Sequence, residues 1–542
     1  MTVKAESSAP GSMRAGLMSW LWWALFASVL ITVIAIRVRL LGVPLERDEG
    51  EYAYAGQLIL RGIPPYELVY SMKFPGTYLA YAIIMALGGQ STVAIHIGLL
   101  VVNVATIAFV AIIGRRLFGT IAGLASGMSY AVMSIGAPVL GLAAHATHFV
   151  LLFALGGLLM LLAHTSKQKP GWVLLSGVLF GLAILMKQPA LWFALCAFTF
   201  VVYTVLRGSE QLPQKVLVAA SFAAGLALPL LVCAFWLWRA GVWSNFILWA
   251  IGYAREYAGV VGRADALQLL SQNGARVIQF APVLWLGAAA GVVLCLVLRS
   301  IRHAIVPLVT LSIAALLAVS AGLYFRPHYF IMLLGPGALL TGLSFASLDD
   351  LATTRVVAAR ILVLSFFALV VTTPLVRGKD LFFSRTPEEV CQILHGENPF
   401  VEAVQIAAFI EKSTHPDDRV AVLGSEPEVC FYANRLSATG YIYMYPLMEP
   451  QKYAGDMQEQ MIHEIERSKP EIMVMVASFW SWLQRPTSGT RIIEWADQYL
   501  ADKYSLIGSV QIAPDGSSSY SLPDTDGRLE GRSNYVAIYR RR

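Results

Sequence analysis

Long apolar runs separated by short polar segments dominate residues 1–377. A helix needs about 20 mostly apolar residues to cross the hydrocarbon core of a bilayer, and eleven runs have that character. A shorter apolar stretch at 76–89 begins at Pro75-Gly76, and we interpret it as an interfacial or re-entrant helix. The eleven runs are 17–40, 91–113, 119–141, 148–164, 171–186, 189–206, 216–238, 277–298, 304–324, 329–347 and 357–376.

The pattern changes after residue 377, where amphipathic helices alternate with short apolar strands. This alternation predicts an α/β domain with a largely parallel sheet over residues 378–542. The predicted fold class is therefore a polytopic α-helical membrane protein of about 11 transmembrane helices (residues 1–377) with a C-terminal α/β domain. The predicted helices are 400–412, 452–467 and 491–503, and the predicted strands are 419–423, 471–476, 505–512 and 534–539.

Charge supports the same division and suggests an orientation. Residues 1–377 contain 24 Lys and Arg against 11 Asp and Glu, whereas residues 378–542 contain 16 against 23. If the N-terminus is cytoplasmic, every inside connection carries a basic pair, such as Arg115 with Arg116, as the positive-inside rule requires. The C-terminal domain would then lie outside the cell, and one helix more or fewer would reverse its side. Because the basic residues flank the membrane, they do not indicate a nucleic-acid partner. The same count places the loops 42–75, 142–147, 239–276 and 325–328 outside.

The first outer loop, 42–75, concentrates acidic residues that are otherwise scarce in the membrane part. Carboxylates are expensive near hydrocarbon, so a cluster at the mouth of a membrane helix indicates a site. A carboxylate there can act as a general base or bind a cation. The alternative is structural: Asp48 and Glu51 have the spacing of a capping box that would start a helix. The cluster consists of Glu46, Asp48, Glu49 and Glu51, followed by Tyr52.

Basic and histidine residues occur in several of the outer turns. Lys73 precedes Pro75-Gly76, and its ammonium either pairs with a phosphate or extends from an interface into water. Lys187 lies between two spans, and Arg326 offers a planar fork that suits phosphate oxygens. His328 can donate a hydrogen bond to the same phosphate group. In His145-Ala-Thr-His148 the two histidines either bind a metal or are ordinary polar loop groups.

The order of these motifs resembles the GT-C class of membrane glycosyltransferases. The motifs are an outer Arg47-Asp-Glu49 loop, a Lys73-x-Pro-Gly76 turn, Lys187-Gln-Pro189 and Arg326-Pro-His-Tyr-Phe330. Within that class the chain resembles bacterial relatives of the dolichyl-phosphate-mannose protein mannosyltransferases and of the aminoarabinose lipid A transferases. The stretch 422–428, with Tyr432-Ala-Asn-Arg435, resembles the soluble domain attached to many such chains.

The resemblance implies transfer of a hexosyl or pentosyl group from a polyprenyl-phosphate donor to a protein, lipid or glycan hydroxyl, with inversion. It places the reaction at the outer face of a bacterial cytoplasmic membrane and requires no cofactor, although it leaves room for a divalent cation. It implies Asp48 as the base, with Glu49 as a second catalytic acid. The implied substrate-binding residues are Lys73, Lys187, Arg326, His328, Glu51, Tyr52 and His148. His148 stands where relatives often have a second acid.

Two other classes of function fit part of the sequence. A transporter or flippase of a polyprenyl-linked glycan would also need many spans with charged residues at membrane depth. Such proteins commonly contain an internal repeat, and we find none in this sequence. A non-catalytic glycan-binding protein could keep the same fold, but retention of Asp48 argues against it.

Overall fold

The computed structural model describes residues 10–167, 169–209, 211–353, 357–523 and 534–542. Its first part is almost entirely helical, and each of the eleven apolar runs contains a helix. The helices are α1 (Pro10–Arg39), α2 (Arg47–Leu60), α3 (Gly76–Gly88), α4 (Thr92–Phe118), α5 (Thr120–Met133), α6 (Ala146–Lys167), α7 (Pro170–Met186), α8 (Leu191–Arg207), α9 (Leu212–Arg239), α10 (Trp243–Phe246), α11 (Ala254–Ala258), α12 (Arg263–Phe280), α13 (Pro282–Val297), α14 (Arg302–Ser320), α15 (Ile331–Thr353) and α16 (Val357–Arg377).

Within the described residues, eight helical segments are long and apolar enough to cross a membrane, or nine if the bent pair α12 and α13 forms one span. Three further apolar helices are shorter, namely α3, α5 and α7. The short length of α3 agrees with the interpretation of 76–89 as something other than a full span. The number of helices that actually cross stays a prediction, because α5, α7 and α13 are too short to qualify by themselves.

Short turns of 3₁₀ and π-helix connect the longer helices; one of them contains His328, and Lys187 and Arg326 each directly precede such a turn. The 3₁₀ turns are Ala137–Val139, Gln188–Ala190, Arg299–Ile301, Ala321–Leu323 and Pro327–Phe330. The π-helical turns are Ile247–Tyr253 and Asp380–Ser384.

The C-terminal part is an α/β domain built on one six-stranded sheet. The sheet order is β2-β1-β3-β6-β4-β5, and its central strands are almost completely buried. Its helices are α17 (Pro387–His395), α18 (Phe400–Ser413), α19 (Glu428–Ala433), α20 (Tyr445–Met448), α21 (Ala454–Ser468), α22 (Phe479–Trp482) and α23 (Arg491–Lys503). Its strands are β1 (Arg419–Leu423), β2 (Leu436–Ser437), β3 (Ile472–Ala477), β4 (Tyr504–Ile512), β5 (Ser518–Ser521) and β6 (Tyr535–Arg541).

The prediction of a largely parallel sheet is wrong. Only β2-β1 and β1-β3 pair in parallel, whereas β3-β6, β6-β4 and β4-β5 are antiparallel. The physical reason lies in the connections, since parallel neighbours need a long crossover and a short connection favours a hairpin. Helices separate β1 from β3, but only a short turn separates β4 from β5.

All five cysteines are free thiols, including Cys391 and Cys430.

The C-terminal domain lies directly on the first outer loop. Helix α2 packs against α19, so closely that a Cβ at Gly50 would come 2.8 Å from the backbone nitrogen of Glu428. The backbone N–H of Tyr70 donates to the carbonyl of Gly440 at 2.7 Å, near the other end of the loop. The Tyr54 hydroxyl accepts a hydrogen bond from the N–H of Ser437 at 2.7 Å. The loop therefore lies between the membrane helices and the sheet domain.

Candidate active site

Helix α2 begins two residues earlier than a capping box of Asp48 and Glu51 predicts, so Asp48 does not form the cap. Glu46 is the N-cap, its carboxylate accepts from the N–H of Glu49, and the Glu49 carboxylate returns a bond to the N–H of Glu46. The capping box is thus formed by Glu46 and Glu49, and the predicted box of Asp48 and Glu51 is wrong. Local spacing fits both registers, and the position of the chain before the helix selects the earlier one. Because Asp48 does not cap the helix, its side chain is free to contact Lys73 and to approach His145.

The carboxylate of Asp48 lies among groups from three distant parts of the chain. Its Oδ1 accepts a hydrogen bond from Lys73 Nζ at 2.7 Å. Its Oδ2 lies 3.8 Å from His145 Nδ1 and 3.9 Å from His328 Nε2. The Asp48 side chain remains 25% exposed, so a substrate can reach it. The tertiary structure therefore joins the first loop, the start of α6 and the turn before α15 into one site.

Lys73 bridges two carboxylates of the first loop. Its ammonium pairs with Glu51 as well as with Asp48, and the other Glu51 oxygen accepts from the Tyr78 hydroxyl. Burial alone would lower the pKa of Lys73, but the two carboxylates raise it above its usual value. Burial would likewise raise the pKa of Asp48, but Lys73 and the other nearby cationic groups hold it well below its usual value. Both groups are therefore charged at neutral pH, and Lys73 is already neutralised within the protein.

The turn that carries Lys73 is held against the turn that carries Lys187. A Cβ at Gly76 would come 2.5 Å from the carbonyl of Leu185, so only glycine permits this approach. Thr77 Oγ1 donates to the carbonyl of Met186 at 2.9 Å, which fixes the contact. The Pro75-Gly76 pair, which predicts a turn in the sequence, is thus the point at which the Lys73 turn contacts the Lys187 turn.

Lys187 and Arg326 are cations of a different kind, because neither forms an ion pair with a carboxylate in the described part of the chain. Lys187 Nζ lies 4.3 Å from the centre of the Tyr329 ring, and Arg326 Nη2 donates to the Tyr257 hydroxyl at 3.2 Å. Burial lowers the pKa of Lys187 to about 7, with Lys73 and Arg326 adding to the effect and Asp48 opposing it. Lys187 and Arg326 would therefore attract an anion such as a phosphate group strongly.

Two of the predicted site residues, Glu49 and His148, lie outside this cluster, and Tyr52 lies at its edge. The Glu49 carboxylate accepts from the N–H of Ala144 at 2.6 Å and contacts His96 Nε2 at 3.1 Å, so it ties α2 to α4 and to the loop before α6. Tyr52 is 1% exposed and presents its ring to Lys73 at 4.5 Å. His148 is fully buried, and its ring nitrogens make no hydrogen bond to any described residue.

Of the two histidines in His145-Ala-Thr-His148, the one that lies near Asp48 is His145. It was not among the predicted substrate-binding residues. Its ring stacks on His328 with centroids 4.1 Å apart. Sequence spacing identified the pair of histidines but could not decide which of them points at the acid. Residue 145 precedes α6, whereas residue 148 lies in its first turn and turns into the helix bundle. The Tyr78 hydroxyl donates to Glu51, and the ring of Tyr443, which no sequence motif marked, lies 5.5 Å from Lys73 Nζ.

Asp48, His145 and His328 can hold a divalent cation. One ligand atom of each lies within 4.8 Å of the other two. Burial lowers the pKa of His145 to about 4, which leaves the neutral imidazole that metal ions bind. Both ring nitrogens of His145 lack a hydrogen bond to the described residues. One carboxylate and two imidazoles form a donor set suited to zinc or manganese.

Comparison with known proteins identifies a family for part of the chain and a fold for most of it. Residues 73–238 match the family model described as dolichyl-phosphate-mannose-protein mannosyltransferase. ArnT from Cupriavidus metallidurans bound to undecaprenyl phosphate aligns with a TM-score of 0.56 and 15% identity, covering 96% of this chain and 98% of that one. The oligosaccharyltransferase AglB from Archaeoglobus fulgidus, in complex with an inhibitory peptide and a dolichol-phosphate, aligns with a TM-score of 0.55 and 13% identity. That alignment covers 93% of this chain and 75% of AglB. No curated protein matches the sequence significantly.

These similarities confirm the resemblance drawn from the motifs. The chain has the fold of the GT-C membrane glycosyltransferases, with a C-terminal sheet domain attached to its helices. Residues 73–238 resemble the mannosyltransferase family model, and the apolar helices indicate a multi-pass membrane protein.

Proposed function

We propose that this protein transfers a sugar from a polyprenyl-phosphate-linked donor to an acceptor hydroxyl, with inversion at the anomeric carbon. One observation carries the proposal: Asp48, ionised and accessible, lies near Lys187 and Arg326, two cations that form no ion pair with a carboxylate among the described residues. Asp48 suits an attacking hydroxyl, and the two cations suit a departing phosphate. Solved structures of similar fold with bound undecaprenyl phosphate or dolichol-phosphate support the donor class.

The proposed reaction is a single displacement. The acceptor hydroxyl donates its proton to Asp48 while its oxygen forms a bond to the anomeric carbon. The bond between that carbon and the phosphate oxygen breaks, and the lipid phosphate leaves with the electron pair. Attack opposite to the leaving group inverts the configuration. Lys187 and Arg326 stabilise the charge that develops on the phosphate, because they are oriented before the reaction begins.

The remaining side chains of the site support the base, Asp48, and the two phosphate-binding cations. Lys73 and Tyr78 hold Glu51, and Lys73 also orients Asp48. In this scheme Glu51 and Tyr52 shape the wall of the site, while His328 is placed to contact the acceptor or the phosphate. A divalent cation held by Asp48, His145 and His328 would supply Lewis-acid stabilisation of substrate oxygens. A complex of AglB with zinc and sulfate is among the structures of similar fold.

We place the reaction at the outer face of a bacterial cytoplasmic membrane, with residues 378–542 outside the cell. The distribution of Lys and Arg between alternate loops supports this orientation. The transferred group is a hexosyl or pentosyl unit, and the acceptor hydroxyl belongs to a protein, a lipid or a glycan. A reporter fused after Arg542 tests the orientation, since a cytoplasmic signal would contradict it.

The decisive experiment measures transfer from a labelled polyprenyl-phosphate sugar by the purified full-length protein. Asp48→Asn keeps the size of the side chain but removes the base, so transfer is expected to fall by roughly 10²- to 10⁴-fold. Asp265→Asn, at an exposed acid in the first turn of α12, is the matched control and should leave transfer unchanged. Full activity in Asp48→Asn would overturn the assignment of the base. Movement of the lipid-linked sugar across vesicles without transfer would instead favour a flippase.

A further inference from the structure

Arg47, the residue directly before Asp48, extends its side chain away from the membrane helices and into the C-terminal domain. Its Nε donates to the carbonyl of Ser425 at 2.6 Å, and its Nη2 donates to Glu426 Oε1 at 3.0 Å. Nη2 also contacts Asn398 Oδ1 at 3.0 Å. All three partners belong to residues 378–542, so the sheet domain grips the first residue of α2.

Glu426 is itself rigidly held. Its side chain is 1% exposed, and its second oxygen accepts from Ser481 Oγ at 2.7 Å. Ser481 Oγ in turn accepts from the N–H of Ser425 at 2.8 Å. Ser425 follows β1 and Ser481 follows β3, two neighbouring parallel strands, so the grip is built on the carboxyl edge of the parallel half of the sheet. Such an edge often binds ligands, but here it binds Arg47.

The backbone of Arg47 is fixed as well as its side chain. Its carbonyl accepts from the Tyr443 hydroxyl at 3.0 Å. Its guanidinium lies 5.3 Å from the ring centre of Phe400 on one side and of Tyr445 on the other. With both ends of Arg47 held by the C-terminal domain, the position and tilt of the next residue, Asp48, depend on that domain. Removing the grip would leave Lys73 as the main restraint on the Asp48 carboxylate.

We infer that Glu426 is a positioning residue for sugar transfer: through Arg47 it sets the place of Asp48 relative to the donor and acceptor. The inference rests on the proposed function and extends it, because it assigns the C-terminal domain a part in the chemical step. The Gly424-Ser-Glu-Pro turn therefore supports the active site through Arg47. A displacement of a reacting group by about 1 Å can cost on the order of 10²-fold in rate.

The test is a kinetic double-mutant cycle with the full-length protein. Glu426→Ala is expected to lower kcat by roughly 10- to 100-fold, while KM for the lipid-linked donor changes by less than about twofold. Glu426→Gln keeps the shape and one accepting oxygen, and should lose less activity than Glu426→Ala. Because the residue acts through Arg47, adding Glu426→Ala to Arg47→Ala should cause no further loss.

A merely structural role gives a different result. In that case thermal stability and the yield of folded protein would fall, while kcat per folded molecule would match wild type. Glu402→Gln is the matched control, since Glu402 is a buried carboxylate of the same domain that accepts a hydrogen bond from Ser518. An unchanged kcat in the Glu426 variants, or full additivity with Arg47→Ala, would overturn the inference. If Glu426→Ala does not fold, an unchanged kcat in Glu426→Gln decides against it.

Failure of the inference can be told apart from failure of the proposed function. If wild type transfers sugar, Asp48→Asn does not, and Glu426→Ala matches wild type, only the positioning role is wrong. If wild type transfers no sugar from any polyprenyl-phosphate donor tested, the proposed function fails first.

Discussion

Lys73 Nζ donates to Asp48 Oδ1 at 2.7 Å, so the proposed base carries its own counter-ion. The same ammonium compensates Glu51, whose side chain is fully buried. Two carboxylates and one ammonium leave a net negative charge at the mouth of the site. That charge disfavours direct binding of a phosphate at Lys73 and favours Lys187 and Arg326 for that purpose.

The first prediction concerns the stability of this ionic cluster. Lys73→Met should lower the free energy of unfolding by on the order of 3 kcal/mol, because it leaves buried Glu51 and partly buried Asp48 uncompensated. Adding Glu51→Gln should restore most of the thermal stability, as measured by the melting temperature in detergent. If Lys73→Met alone is as stable as wild type, the cluster does not contribute as described.

The second prediction concerns pH and donor binding. Lys187, with a pKa of about 7, is protonated below that pH and neutral above it. The donor is a phosphodiester whose charge does not change in this range, so KM for the donor should rise as the pH increases beyond about 7. Lys187→Arg keeps the charge at all these pH values and should flatten the dependence. A profile of KM identical in the two proteins would contradict this role.

The third prediction separates the two acids that the sequence analysis placed in the catalytic centre. Glu49→Gln should lower the free energy of unfolding by about 1–3 kcal/mol, because the buried carboxylate accepts a hydrogen bond from the N–H of Ala144 and contacts His96. Its kcat per folded molecule should stay close to wild type, unlike that of Asp48→Asn. A loss of kcat as large as that of Asp48→Asn would return Glu49 to the catalytic machinery.

The fourth prediction concerns metal binding. Protein freed of metal by a chelator should bind Mn²⁺, as measured by isothermal titration calorimetry. His145→Ala and His328→Ala should each weaken binding by at least about 10-fold, because each removes a ligand. His415→Ala, an exposed histidine of the C-terminal domain, should bind as wild type does. Equal affinity in all four proteins would exclude this cluster as the binding site.

Local patterns were sufficient for the long apolar helices, four of the six strands and the acidic first loop, but not for α12, α17 or α19. The length of apolar runs sets a membrane helix, and alternating short elements set an α/β domain, since both depend on neighbours in sequence. They were insufficient where two local solutions compete. Asp48 with Glu51 and Glu46 with Glu49 both have capping-box spacing, and the entry of the chain into α2 selected the second.

The sequence by itself determined the kinds of groups in the site, namely a cluster of acids, three outer-turn cations and a pair of histidines. Only the tertiary structure decided their partners. It paired Lys73 with the acids and directed His145 rather than His148 toward Asp48. It left Lys187 and Arg326 without an ion pair to any carboxylate of the described ranges. The reason is physical: these groups come from segments as far apart in the chain as residues 48 and 328. Helix packing and the docking of the sheet domain bring such turns together, and neither is encoded in local spacing.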